Sequence, residues 1–212
     1  MSKKRKVLIV IIAILILLAG TFAVYKIMNP KKENTKITKK LDSIKGFDYV
    51  LEDRDTELYK DEFKSLKTNL ESKSIDYKEY AKSIAKMFII DLYTINNKVN
   101  KYDVGGLEFV HPDALENYEL NVKDTLYKYV DDNSYGDREQ ELPEVSSIKV
   151  DNIKESTYKI GENEIDSYEL SLSWDYVKDL EYDSKATIII VKKDKYLYIV
   201  EKKDIEEDSK TE

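Results

Sequence analysis

His111 is the only histidine in the 212 residues, and there is no cysteine. No Cys nucleophile and no Cys-rich zinc site can form, and a Ser-His-Asp triad would have to use His111. His111 precedes Pro112 and Asp113 at an expected helix start. It therefore reads as a capping or solvent-facing residue, and as a lone exposed group it would be a weak pH sensor. Asp131-x-Asn133-x-Tyr135-Gly136 has the opening of a calcium loop. Leu142 stands where that loop needs its closing bidentate Glu, so an ordinary Asx-rich loop is the simpler reading. Asp53-Arg54-Asp55 reads as a strand-to-helix turn, and Gly105-Gly106 as a turn connecting helices. No glycine motif for cradling phosphate is present. Asp and Glu number 42, so some pair must lie close in space, the minimum for glycoside hydrolysis. No pair is marked by an apolar, pKa-raising setting. No residue is assigned a catalytic, cofactor-binding or metal-ligating role, and no cofactor is expected. The 17 tyrosines are the positive signal: they fill strands and buried faces, form a partner surface or line a pocket.

The elements that must position these residues follow from periodicity. Phe47, Tyr49 and Leu51 alternate, as in a short strand. Thr56 caps a helix reaching Glu71, with Leu58, Phe63, Leu66 and Leu70 on one stripe. Asp76 and Glu79 open a second helix in the manner of a capping box. Its stripe runs Tyr77, Ala81, Ile84, Phe88, Leu92 and Ile95. Ala85, Ile89 and Val99 widen that face, which predicts a central, well-buried helix. A third stripe, Leu115, Tyr118, Val122, Leu126 and Tyr129, follows Pro112. Asp131–Glu144 is a polar loop. Beyond Val145 the period becomes two. Strands are expected from Ile148 toward Ile160, over Tyr168–Tyr176, over Ala186–Val191 and over Tyr196–Val200. Leu170, Leu172 and Trp174 fall on one face of the second of these; Glu169, Ser171, Ser173 and Asp175 fall on the other. Helices followed by an antiparallel sheet predict an α+β domain.

Residues 7–25, VLIVIIAILILLAGTFAVY, carry no charge. As a helix they span about 28 Å, the hydrocarbon thickness of a bilayer. The run exceeds a signal-peptide core, and Thr21-Phe22-Ala23 is a poor cleavage site, so an uncleaved anchor is expected. Without Cys there is no lipoprotein processing. Residues 1–6 carry +4, residues 26–45 carry +5, and the remainder −16. Positive charge on both sides of the run weakens the orientation rule. The short basic N-tail is costly to translocate, which favours the N-terminus inside and the domain outside. An acidic domain argues against nucleic acid, which needs a positive footprint. The organisation read from sequence is a cytoplasmic N-tail 1–6, a transmembrane helix 7–25, a Lys-rich linker 26–45, a domain 46–201 and a disordered charged tail 202–212. Arg5, Arg54 and Arg138 are the only arginines beside many Lys, Ile, Asn and Tyr. That usage suits an A·T-rich genome, such as that of a low-GC Gram-positive bacterium.

With segments such as Phe88-Ile-Ile-Asp-Leu-Tyr93, Asp103-Val-Gly-Gly106 and Leu142-Pro143-Glu144-Val145, this order of elements resembles the NTF2-like cone fold. Joined to one N-terminal anchor, it is similar to the VirB8-like and TcpC-like components of conjugation machines. The resemblance implies helices packed on a curved antiparallel sheet. It also implies an envelope assembly as the setting, with envelope protein partners and self-association through the domain; the acidic, His-poor, Cys-free domain itself reads as a non-catalytic interaction or scaffold module, and the apolar run as contacting membrane lipid through residues 7–25. Two alternatives stay open: a cone that binds a small molecule or lipid, and an envelope hydrolase using paired carboxylates. An apolar pocket between helix and sheet would favour the first, and converging carboxylates the second. A filled core with a polar sheet face would favour docking.

Overall fold

The computed structural model describes residues 38–205. The elements run β1 (Lys40–Ser43), β2 (Val50–Glu52), α1 (Glu57–Leu70), α2 (Tyr77–Tyr93), α3 (Leu115–Asp124), β3 (Val145–Ile160), β4 (Asn163–Tyr176), β5 (Lys185–Lys193) and β6 (Tyr196–Asp204). Single 3-10 turns occupy Ile95–Asn97, Leu107–Phe109 and Pro112–Ala114. The fold is α+β, with the helices first and the sheet after. The apolar run 7–25 and the N-tail lie outside the described residues. Among the described residues no helix is long and apolar enough to cross a membrane.

Thr56 Oγ1 accepts the Tyr59 N–H and starts α1, which buries Tyr59, Phe63, Leu66 and Leu70. Asp76 caps α2 by accepting from Lys78 N and Glu79 N. In α2, 11 of 17 residues are buried, because α1 covers one side and all four strands of the large sheet touch another. That sheet is an antiparallel meander in the order β3-β4-β5-β6. Its strands carry register shifts at Val145/Ser147, Val150/Asn152 and Ile189/Ile190, and such bulges bend a sheet. Leu170, Leu172, Trp174, Ala186, Ile188, Ile190, Leu197 and Ile199 face α2 and close the core with Ile84, Phe88 and Ile89.

Both expected domain boundaries move outward. β1 falls inside the stretch read as linker 26–45, and pairs with β2 through Asp42↔Leu51 and Ser43↔Val50. Ile44 is 1% exposed within the core. β6 runs to Asp204, three residues into the stretch read as tail 202–212. The strand expected over Phe47, Tyr49 and Leu51 begins only at Val50. Phe47 sits in the preceding turn, where Gly46 has a φ of 82°. α2 stops at Tyr93 rather than running through Ile95 and Val99. Tertiary bonds replace helical ones there: Thr94 Oγ1 accepts the Val145 N–H, and the Asn96 N–H donates to Pro143 O. α3 stops at Asp124, leaving Tyr129 76% exposed.

Candidate functional site

A dense polar constellation lies where β2, α1, α2 and the 95–111 loops meet. β2 and the turn after it supply Glu52, Arg54 and Asp55, α1 supplies Tyr59, and α2 supplies Asp91. The chain beyond α2 adds Lys98, Asp103 and Glu108. The Lys98 side chain is 2% exposed, and its Nζ pairs with Asp91 Oδ1. Asp91 Oδ2 accepts the Gly106 N–H at 2.6 Å. Arg54 pairs with Asp103 and, through Nε at 2.8 Å, with Glu52. Asp103 Oδ2 also accepts the Val99 N–H at 2.8 Å. Glu108 accepts from Tyr59 OH at 2.7 Å and from Val50 N at 3.3 Å. Asp55 accepts from Glu52 N at 2.7 Å.

Burial, with Asp91 nearby, pushes the Glu108 carboxyl up to about 8. Burial likewise pushes Asp55 up to about 6. At Asp103 burial acts in the same direction, but the Arg54 guanidinium and the Val99 N–H outweigh it and hold that carboxyl below its ordinary value. A cavity of about 160 Å³ separates Glu52, Asp55, Asp91 and Glu108, smaller than the roughly 300 Å³ at which ligand pockets begin. Each of these acids has an oxygen committed to a protein donor. The arrangement is suited to holding four segments together. Among the described residues, no group of three or more His, Asp or Glu is placed to hold a metal ion.

Asp91, Lys98, Asp103 and Glu108 were not singled out from sequence as a site. The available signal was Glu108 alone between Leu107 and Phe109, two apolar residues beside a Gly pair. Asp53-Arg54-Asp55 does form the expected turn, and Arg54 and Asp55 are also part of the network. Gly105-Gly106 is a turn of close approach: a Cβ at Gly105 would lie 2.2 Å from Asp91 O.

His111 does cap, since its Nδ1 accepts the Asp113 N–H at 3.2 Å. It is not solvent-facing. It is 6% exposed, its ring stands edge-on to Tyr198 at 5.5 Å, and its backbone N–H donates to Ile199 O. In the loop once compared with a calcium site, Asn133 Oδ1 accepts the Arg138 N–H, and Gln140 accepts the Asp131 N–H. Those atoms close an Asx-rich loop. Tyr49, Tyr59, Tyr80, Tyr93 and Tyr127 are core residues. Their hydroxyls find partners, as in Tyr49–Tyr80 at 2.6 Å and Tyr127 to Leu92 O at 2.7 Å. Much of the tyrosine excess therefore builds the core.

On the sheet face away from α2, Lys154 pairs with Glu169 at 2.8 Å, and Ser147 donates to Asp175 at 2.7 Å. β5 pairs with β4 only over Ser167–Ser173. β3 from Thr157 and β4 up to Asp166 consequently pair only with each other, as a two-stranded arm closed by Gly161-Glu162. Tyr158 opposes Ile165, with Ile160 beside them, on that same outer face. Comparison with family models, curated proteins and solved structures finds nothing similar to this chain.

Proposed function

We propose that this chain is a single-pass, membrane-anchored, extracytoplasmic docking module of a bacterial envelope assembly. Residues 7–25 are its anchor, its N-terminus is cytoplasmic, and its α+β domain is an NTF2-like cone that is not catalytic. The projecting β3–β4 arm carries the reading. A two-stranded hairpin is marginal by itself in water, and this one sets Tyr158, Ile160 and Ile165 on one face. The three are half-buried, and covering them with a partner removes their remaining apolar surface from water. On that face Asn163, Ser156 and Ser167 flank the patch, so the fitting partner is a protein with an apolar pocket and a polar rim. The β3 edge itself is a poorer contact. Its bulges and Lys149, Lys154 and Lys159 blunt strand addition.

The packed core where Ile84, Phe88 and Ile89 of α2 meet the sheet supports docking over a cone whose centre holds a ligand. The hydrolase alternative needs carboxylates free to act, whereas Asp91 and Glu108 have both oxygens engaged.

A photo-crosslinking residue at Tyr158, used in living cells, tests the reading. It should give one discrete heteromeric adduct, which Ile165→Lys abolishes while the fold is kept. A homomeric adduct would replace the partner by a second copy, and no adduct at all would sink the reading. Topology has its own assay, because the chain lacks Cys. Ser209→Cys should react with an impermeant maleimide on intact cells. Labelling only after lysis, with a wall-accessible control reacting, reverses the orientation.

A further inference from the structure

A cavity of about 460 Å³ opens between the end of α2, α3, the β4–β5 loop and the end of β6. This is within the size range of small-molecule sites. One wall is apolar, made by Leu92, Val122 and Leu126. The lining also carries two carboxylates, Asp183 and Asp204, with the Tyr93 side chain beside Asp183. The Tyr93 hydroxyl donates to Asp183 Oδ2 at 3.3 Å, which orients that carboxylate. Behind Tyr93 stand Trp174, at 5.1 Å between ring centroids, and Tyr176, at 6.5 Å.

This lining already holds a cation, and the cation belongs to the chain. Lys202 Nζ lies 5.5 Å from the Tyr93 ring centroid and pairs with Asp204. An aromatic face beside a carboxylate attracts positive charge. Lys202 pairs with Asp204, while Asp183 is oriented by the Tyr93 hydroxyl. The Lys202 side chain is long and stands near the end of a strand, so it can swing outward to solvent.

We propose that this cavity binds a small organic cation of the alkylammonium class. Its charged head takes the place of the Lys202 ammonium between Tyr93, Asp183 and Asp204, and its apolar part lies on Leu92, Val122 and Leu126. The Lys202 side chain is then an internal competitor that the ligand displaces. This site is distinct from the β3–β4 arm and does not depend on the docking reading.

Trp174 is the only tryptophan and reports directly on the Tyr93 wall. The full chain in a nonionic detergent is titrated with choline and, separately, with its neutral isostere 3,3-dimethylbutan-1-ol, following Trp174 fluorescence. Choline should give a saturable change, with the isostere about tenfold weaker or worse, as expected for an ammonium held by an aromatic face and a carboxylate. Asp183→Asn with Asp204→Asn should weaken choline about tenfold. Lys202→Met should strengthen it, because the competitor is gone. That second variant keeps the test decisive if the double carboxamide fails to fold. No saturation with choline by either the wild-type chain or Lys202→Met overturns the proposal. So does equal affinity for the neutral isostere, which would make the cavity merely apolar. Choline affinity that Lys202→Met leaves unchanged or lowers also overturns it.

Discussion

The Lys98 ammonium rests on the Asp91 carboxylate beneath the surface, and the other oxygen of that carboxylate takes the Gly106 N–H. One acid on α2 thus fixes both the chain leaving that helix and the turn that returns to it. Asp91→Asn strips the buried ammonium of its counter-charge and should cost about 3–5 kcal/mol. Replacing both partners, Asp91→Leu with Lys98→Met, removes the buried charge altogether and should cost less than Asp91→Asn alone. Urea unfolding of the wild-type chain and the two variants decides this. A double variant less stable than Asp91→Asn would mean that the pair is worth more than its desolvation.

That pair shows where the sequence stops being readable. In a continuous helix, residues seven apart are separated by about 10.5 Å along the axis, beyond the i,i+3 and i,i+4 spacing at which side chains ordinarily pair. The apolar stripe predicted a helix running from Tyr77 through Ile95 and Val99. Only because Thr94 and Asn96 bond to Val145 and Pro143 does the helix end at Tyr93, letting Lys98 fold back onto Asp91. Caps and periodicity were legible because they are local: Thr56, Asp76 and the alternation Leu170, Leu172, Trp174 all sit where expected. β1 was illegible for the opposite reason. Lys40–Ser43 has one large apolar residue, and its strand exists only through pairing with β2. The polar network belongs to the same class, since Arg54 and Asp103 are 49 positions apart.

Glu108 ties stability to pH. Its folded value of about 8 lies above the ordinary 4.5, so the native state holds this proton more tightly than the unfolded chain does. Its contribution is fully present below the ordinary value and is lost as pH climbs through 8. Asp55, raised to about 6, acts in the same direction. Asp91 and Asp55 face Glu108 and raise it further, while Tyr59 and the Val50 N–H oppose them. Glu108→Gln, neutral at every pH, should flatten the decline between about pH 5 and 9, recovering on the order of a few kcal/mol at the alkaline end. Urea midpoints across that range test it. A wild-type chain that gains stability toward pH 9 would contradict the assignment. Asp103 has the opposite sign: its value is depressed, so its contribution fades as pH falls through that lowered value.

Gly105 and Gly136 should respond differently to alanine. A Cβ at Gly105 would meet Asp91 O at 2.2 Å and Leu92 N at 3.1 Å, both backbone atoms of α2. Helix and loop would have to separate, which also pulls on the Gly106 bond to Asp91. Gly105→Ala should therefore lose about 2 kcal/mol or more, within the range of severe backbone clashes. Gly136 has a φ of 76° but open space around its Cβ position, so Gly136→Ala should lose only about 1–2 kcal/mol. Thermal melts compare them directly. The closeness of the 105–106 turn to α2 is wrong if Gly105→Ala proves the milder of the two.

His111 joins the turn before α3 to the edge of the sheet in two ways. Its Nδ1 caps Asp113, and its ring packs edge-on against Tyr198 of β6. His111→Asn keeps a side-chain acceptor for the cap and removes the ring, whereas His111→Ala removes both. The difference between them should be about 1 kcal/mol, the usual worth of an N-cap. The ring contributes separately, so Tyr198→Leu should lower stability in the wild-type chain and do so less in His111→Asn, where its edge-on partner is already missing. Equal losses in the two backgrounds would show that Tyr198 is held by Tyr196, stacked on it at 5.8 Å, rather than by His111. Hydrogen exchange at the His111 amide supplies a second readout. That amide donates to Ile199 O at 2.9 Å, beside the single parallel bridge Val110↔Ile199. It should stay protected in His111→Asn and lose protection in His111→Ala, because the cap holds the Pro112–Ala114 turn that presses this segment against β6.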